Sequence, residues 1–220
     1  SLIIIDKTLS SIGVDDEMMN NYNGSCNQQI AFDRFTGFGD QVKGYLIHSN
    51  TLSNAPFVNE AINIKEPDVT RLGGISQRDS IRRYENEVQR IRSEVIKAFN
   101  QYFPHNNPDP TNRQTDLWAI FELMSDYFGQ SSPEDDRLVI IVSDMIESMR
   151  GPGRRNFHGK PIKNKAEAEA MAKEDAQWIK NNLAVDPTNL ENVKVRVWPP
   201  ITSTEKSNFQ NVRYYWDALF

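Results

Sequence analysis

The sequence of 220 residues contains a single cysteine, Cys26, and only three histidines. One cysteine cannot form an internal disulfide or a cysteine zinc cage, although it does not fix the cellular compartment. His48, His105 and His158 have no acidic or cysteine partner at ligand spacing, so we expect each to be structural or exposed. The sequence also lacks Gly-x-Ser-x-Gly and His-Glu-x-x-His, so it carries no signature of a serine hydrolase or a zinc protease.

An excess of basic charge and a long apolar run are missing as well. The net charge is −5, which argues weakly against a general nucleic-acid binder. No apolar run approaches the roughly 20 residues of a membrane span, so we predict no membrane segment. What is present, 38% hydrophobic and 10% aromatic residues, indicates a folded globular chain. We therefore predict a single domain over residues 1–220.

The first ten residues carry the strongest signal. Leu2 to Ile5 form a short apolar run that predicts a strand buried on both faces of a parallel sheet, and Asp6 follows it directly. Ligands bind at the carboxyl ends of strands in open α/β sheets. Asp6, Thr8 and Ser10 stand at steps of two in one loop and can direct three oxygens to one point, as a hard cation such as Mg²⁺ requires.

A strand that begins at the second residue has no lead-in. We therefore expect that the sequence starts at a cleavage site or inside a longer protein. A signal peptide or a lipid anchor could have been lost upstream, so the localisation stays unknown.

The pattern Asp-x-Thr-x-Ser resembles the first motif of the metal-ion-dependent adhesion site of von Willebrand factor A domains. That family has two further motifs, a threonine that opens a helix and an aspartate that ends a later buried strand. Thr115, which precedes an amphipathic pattern, and Asp144, which ends the apolar run from Arg137, are similar to them in order and spacing. The resemblance covers nearly the whole chain.

The resemblance implies a Rossmann-like α/β fold with an open, mostly parallel sheet flanked by helices on both faces. It also implies a divalent cation, Mg²⁺ or else Mn²⁺ or Ca²⁺, bound directly by the hydroxyls of Thr8, Ser10 and Thr115. Asp6 and Asp144 would reach the ion through water. An acidic group of a protein partner would fill the remaining coordination position, and we expect no catalysis.

Two positions depart from the family pattern. Thr8 stands where the family usually has serine, which keeps the same oxygen. Met145 stands where the family usually has glycine after the aspartate, which changes the loop beside the site.

The rest of the chain alternates between helical and strand patterns, which favours a mostly parallel α/β sheet. Two short strands at 29–35 and 45–48 predict a β-hairpin, and we expect a short helix near 57–62. Apolar spacing of three and four predicts helices over 80–99, 117–128, 165–183 and 208–220. Residues 192–198 alternate and predict an edge strand.

Two alternatives compete with a functional metal site. The fold can be right and the metal site non-functional, which leaves a plain interaction module. The run Asp6-Lys7-Thr8 also resembles the nucleophile motif of haloacid-dehalogenase-type phosphohydrolases, in which Asp6 would attack phosphorus. Ser143, Asp144 and Glu147 supply only a poor version of that family's acidic motif.

Two local features allow a simpler explanation. Thr115 alone could be a helix cap, because serine and threonine are favoured caps. The Gly/Pro-rich basic loop at 150–163 is either a mobile solvated loop or a contact surface for an acidic partner.

Overall fold

The computed structural model describes residues 1–6, 24, 33–48, 51–53, 55–68, 70, 74–102, 114–132, 134–199 and 206–220. Its strands are β1 Leu2–Asp6, β2 Gln41–Ile47, β3 Val58–Ala61, β4 Leu138–Val142 and β5 Lys194–Trp198. Its α-helices are α1 Gly74–Tyr102, α2 Ala119–Phe128, α3 Lys165–Asn182 and α4 Lys206–Leu219. Short 3-10 turns lie at Thr51–Ser53 and Pro187–Leu190.

The strands form one sheet in the order β3-β2-β1-β4-β5. β4 pairs in parallel with both β1 and β5, whereas β2 and β3 are antiparallel. All five residues of β1 and all five of β4 are buried, as expected for continuous apolar strands inside a parallel sheet. The prediction of an α/β fold with a mostly parallel sheet is confirmed.

Backbone contacts divide the chain into two compact units. The first comprises Ser1, Asp16–Gly44 and Pro56–His105, and the second comprises Leu2–Asp15, Tyr45–Ala55 and Asn106–Phe220. β2 begins in the first unit and ends in the second. This division leaves the single-domain prediction untested.

Within the first unit, α1 buries Val88, Ile91, Val95 and Phe99, which lie three and four residues apart as the helical pattern predicted. The Phe57 ring meets the Phe99 ring edge-on at 5.9 Å between centroids. These apolar contacts belong to the core of this unit, which also contains the buried side chains of Phe35, Val42, Val58 and Ile62.

The expected helix near 57–62 is wrong, because Val58–Ala61 is strand β3. This strand pairs with Gln41–Gly44, so β2 forms its hairpin with β3. The Phe57 ring lies over Gly44, where an added Cβ would come within 2.5 Å of it. Most of the predicted strand at 29–35 lies outside the described residues, and Asp33 and Arg34 lie in a helical turn.

Within the second unit, β1 and β4 share their core with α2, α3 and α4. The last helix contributes Val212, Tyr215 and Trp216, all buried as predicted. In the part of the chain that the structure describes, no helix combines the length and the apolar character needed to cross a bilayer.

Candidate functional site

Asp6 and Asp144 lie at the carboxyl ends of two neighbouring parallel strands. Ile5 pairs with Val142 in the sheet, so Asp6 and Ser143 are the next residues along the two strands. Both carboxylates are buried, with relative exposures of 3% for Asp6 and 5% for Asp144. The Ser143 hydroxyl donates a hydrogen bond of 2.8 Å to Asp6 Oδ2. The sheet therefore brings together two strand ends that the sequence placed 138 positions apart.

The backbone turns sharply immediately after Asp144. Met145 adopts a φ of 61°, in the left-handed region that favours glycine. Its N–H donates to Ser143 Oγ at 2.9 Å, and its carbonyl accepts a hydrogen bond of 2.7 Å from Trp216 Nε1. The backbone after Asp144 thus adopts a conformation that favours glycine, although the residue there is methionine.

Thr115 is joined to the segment that follows β4. Its N–H donates to Ser148 Oγ at 2.7 Å, and its carbonyl accepts the Ser148 N–H at 3.2 Å. Helix α2 begins only at Ala119, after Trp118 at the N-cap position. Asp116 Oδ1 accepts the Ala119 N–H at 3.1 Å. Thr115 is therefore not the helix cap, and the predicted helix start at 117 was too early.

The candidate ligands that the structure describes all carry oxygen donors. Thr8 and Ser10 lie outside the described residues, which leaves Asp6, Thr115 and Asp144. Among the residues that the structure describes, no three His, Cys, Asp or Glu side chains form a group that could hold a metal. A site here would therefore need hydroxyl oxygens beside the two buried carboxylates, and oxygen ligands of both kinds suit Mg²⁺.

A third buried carboxylate, Glu147, lies in the same segment and has different partners. Its Oε2 accepts the Leu117 N–H at 2.7 Å, and its Oε1 accepts Arg154 Nη2 at 2.8 Å. Arg154 Nη2 also donates to Asp116 Oδ1. Burial raises the pKa of Glu147 to about 7, although the neighbouring guanidinium works in the opposite direction. We call Asp116, Glu147 and Arg154 the ion cluster.

Arg154 also stacks on two tryptophans. Its guanidinium carbon lies 4.7 Å from the Trp118 ring centroid and 5.8 Å from that of Trp178. Gly153, with a φ of 75°, leaves room for Trp178, because an added Cβ would lie 2.1 Å from the indole nitrogen. This part of the basic loop is therefore packed against the fold.

The next arginine is also paired inside the fold. Arg155 Nε donates to Asp175 Oδ2 at 2.9 Å, and the Tyr215 hydroxyl donates to the same oxygen at 2.8 Å. Trp118 Nε1 in turn donates to the Tyr215 hydroxyl at 3.1 Å. Burial and the adjacent Asp175 carboxylate raise the pKa of Tyr215.

These pairings narrow both explanations offered for the basic loop. Arg154 and Arg155 are held by acidic residues of the protein itself, whereas Arg150, Lys160 and Lys163 are exposed. A contact surface for an acidic partner stays a prediction that these three exposed residues could serve. The sequence contained one signal that was missed. Asp175 lies on the buried stripe of α3 with Ala168, Ala172 and Ile179. A charged residue on such a stripe needs a partner.

Comparisons with known proteins identify no family. No protein-family model matches the sequence, and no curated protein matches it. A solved structure described as von Willebrand factor type A from Catenulispora acidiphila aligns with 97% of this chain and 42% of its own, at 13% identity and a TM-score of 0.43. Proximal thread matrix protein 1 from the mussel byssus aligns with 99% of this chain and 46% of its own, at 12% identity and a TM-score of 0.44.

The chain spans less than half the length of each of these two proteins. At such identities and TM-scores the two alignments carry no argument about ligand or activity. The comparisons also give no support to the phosphohydrolase hypothesis, and membership of the von Willebrand factor A family stays a prediction.

Proposed function

We propose that this protein is an interaction module of the von Willebrand A type, which binds a divalent cation and uses it to hold an acidic group of a protein partner. The observation that carries the proposal is the placement of Asp6 and Asp144. Both carboxylates are buried at the carboxyl ends of adjacent parallel strands, and the segment after β4 also binds the backbone of Thr115.

The ligand chemistry fits this role. Thr115, with Thr8 and Ser10 as predicted, would supply neutral hydroxyls, while Asp6 and Asp144 would supply the only two negative charges of the proposed set. A bound Mg²⁺ would supply a net positive centre that exchanges a water for an external carboxylate. The chain's own residues would hold the ion and leave one position for the partner. No catalytic role is proposed.

The first test is whether divalent cations stabilise the metal-free protein. Ligand that binds only the folded state raises the melting temperature with its concentration. We expect Mg²⁺ and Mn²⁺ to raise it in wild type but not in Asp6→Ala. Glu134→Ala, which removes an exposed acid at the opposite end of β4, should respond like wild type. No rise at millimolar cation would favour the non-functional-site alternative.

A second measurement separates an adhesion site from a simple ion site. A short peptide with one aspartate would be added to the Mn²⁺-loaded protein, and the water-proton relaxation of the bound ion would be recorded. A carboxylate that displaces a metal-bound water should lower the water-proton relaxation rate, and the same peptide with asparagine should not.

A phosphate ester added to the same samples tests the phosphohydrolase hypothesis, and its hydrolysis would contradict the proposal.

A further inference from the structure

One short segment, 143–148, contacts every described residue of the candidate metal site. It contains Asp144, it binds Asp6 through Ser143, and it binds Thr115 through Ser148. We propose that Ser143 and Ser148 are positioning residues, whose hydroxyls fix the candidate ligands before the ion arrives. This inference rests on the proposed function.

Ser143 uses its hydroxyl both as a hydrogen-bond donor and as an acceptor. The residue is fully buried, and its hydroxyl has one proton to donate, which goes to Asp6 Oδ2 at 2.8 Å. Its oxygen simultaneously accepts the Met145 N–H at 2.9 Å. A single hydroxyl therefore contacts both the carboxylate of Asp6 and the turn that follows Asp144. Alanine at 143 would remove both bonds at once.

Ser148 positions a backbone. Its Oγ and its own N–H bond the N–H and the carbonyl of Thr115, at 2.7 and 3.2 Å. Two hydrogen bonds to the backbone of Thr115 fix the position of its main chain. They therefore also restrict the region that the Thr115 hydroxyl can reach. Alanine at 148 would keep the backbone bond and remove the hydroxyl bond, so we expect a smaller effect than at 143.

Groups that orient metal ligands typically change metal affinity by 10- to 100-fold when they are removed. We expect the Mn²⁺ affinity of Ser143→Ala, measured by electron paramagnetic resonance, to fall at least about 10-fold. Ser143→Thr keeps the oxygen and should recover most of the affinity. Ser148→Ala should fall between Ser143→Ala and wild type.

Ser125→Ala is the matched control. Ser125 is a buried serine of α2 whose Oγ accepts the Asp186 N–H at 2.9 Å, so its loss removes a comparable hydrogen bond away from the candidate ligands. Its Mn²⁺ affinity should equal that of wild type even where its melting temperature falls. Equal losses of Mn²⁺ affinity in Ser125→Ala and Ser143→Ala would overturn the positioning role, because Ser143 would then contribute only to the stability of the fold.

A readout without metal separates the two proposals. The ¹³C resonance of the Asp6 carboxyl, assigned with Asp6→Asn, should shift in metal-free Ser143→Ala and stay in place in Ser125→Ala. Wild type that binds no Mn²⁺ would overturn the proposed function and with it a positioning role toward metal. Wild type that binds Mn²⁺, with Ser143→Ala binding it equally well and showing an unshifted resonance, would overturn this inference alone.

Discussion

Asp6 and Glu147 are both buried carboxylates near the end of β4, yet they are held in different ways. Glu147 meets its counter-charge inside the fold, in Arg154, and two backbone N–H groups donate to it as well. Asp6 accepts one hydrogen bond from the neutral hydroxyl of Ser143. A buried acid therefore does not by itself indicate a metal site, because its counter-charge can lie within the fold, as Arg154 does for Glu147.

The difference also separates two roles within one segment. The ion cluster fixes the start of α2 and the basic loop, since Arg154 joins Asp116 to Glu147. The two serines fix the candidate ligands. The contacts of the ion cluster indicate that the first role concerns stability, which variants of Arg154 and Glu147 can test.

Removal of Arg154 should have the largest effect. Arg154→Met keeps an apolar stem against Trp118 and leaves Glu147 buried without its guanidinium, which typically costs about 4 kcal/mol of unfolding free energy. Urea denaturation at pH 8 measures the loss. At pH 5 the loss should shrink, because Glu147 can then take up a proton. Arg90→Met, which breaks the exposed pair with Glu87, should change stability little.

The stability of the wild type should depend on pH through Glu147. Burial raises the pKa of this carboxyl from its ordinary value of 4.5 to about 7 in the folded protein, so between these values the folded state binds more protons than the unfolded chain. The unfolding free energy should therefore fall as pH rises from 4.5 to 7 and level off above. The full change is about 3 kcal/mol.

Glu147→Gln is the control for this pH dependence. Glutamine keeps an acceptor for the Leu117 N–H but cannot titrate, so the slope between those pH values should disappear. An unchanged slope would assign the pH dependence to other groups.

The smallest effect is expected at Met145, where a glycine variant should be more stable to unfolding than an alanine variant. Both substitutions remove the buried side chain, but glycine accepts a φ of 61° without strain, so Met145→Gly should be more stable than Met145→Ala by about 1 kcal/mol. Met124 is equally buried and lies inside α2, so the order should reverse there. The melting temperatures of the glycine and alanine variants at Met145 and Met124, measured by thermal denaturation, test this order.

The sequence identified those parts of the fold and site that depend on local patterns. Continuous apolar runs predicted β1 and β4, and the first acidic residue at the end of each run is Asp6 or Asp144. Spacing alone could not predict the ion cluster, because the partners of Arg154 lie 38 and 7 positions away and only the folded chain brings them together. The strand at 58–61 was missed because four residues are too few to display a period.

The candidate site is held together by hydrogen bonds between residues that are far apart in the sequence. The Ser143–Asp6 bond spans 137 positions, and the Trp216–Met145 bond spans 71. Contacts of such separation form late in folding, since a long loop must close before they add stability. A partly folded chain would therefore lack the candidate site altogether and would not bind the cation with intermediate affinity. The proposed cation binding would then appear together with the packed sheet, and it would report when folding of this region is complete.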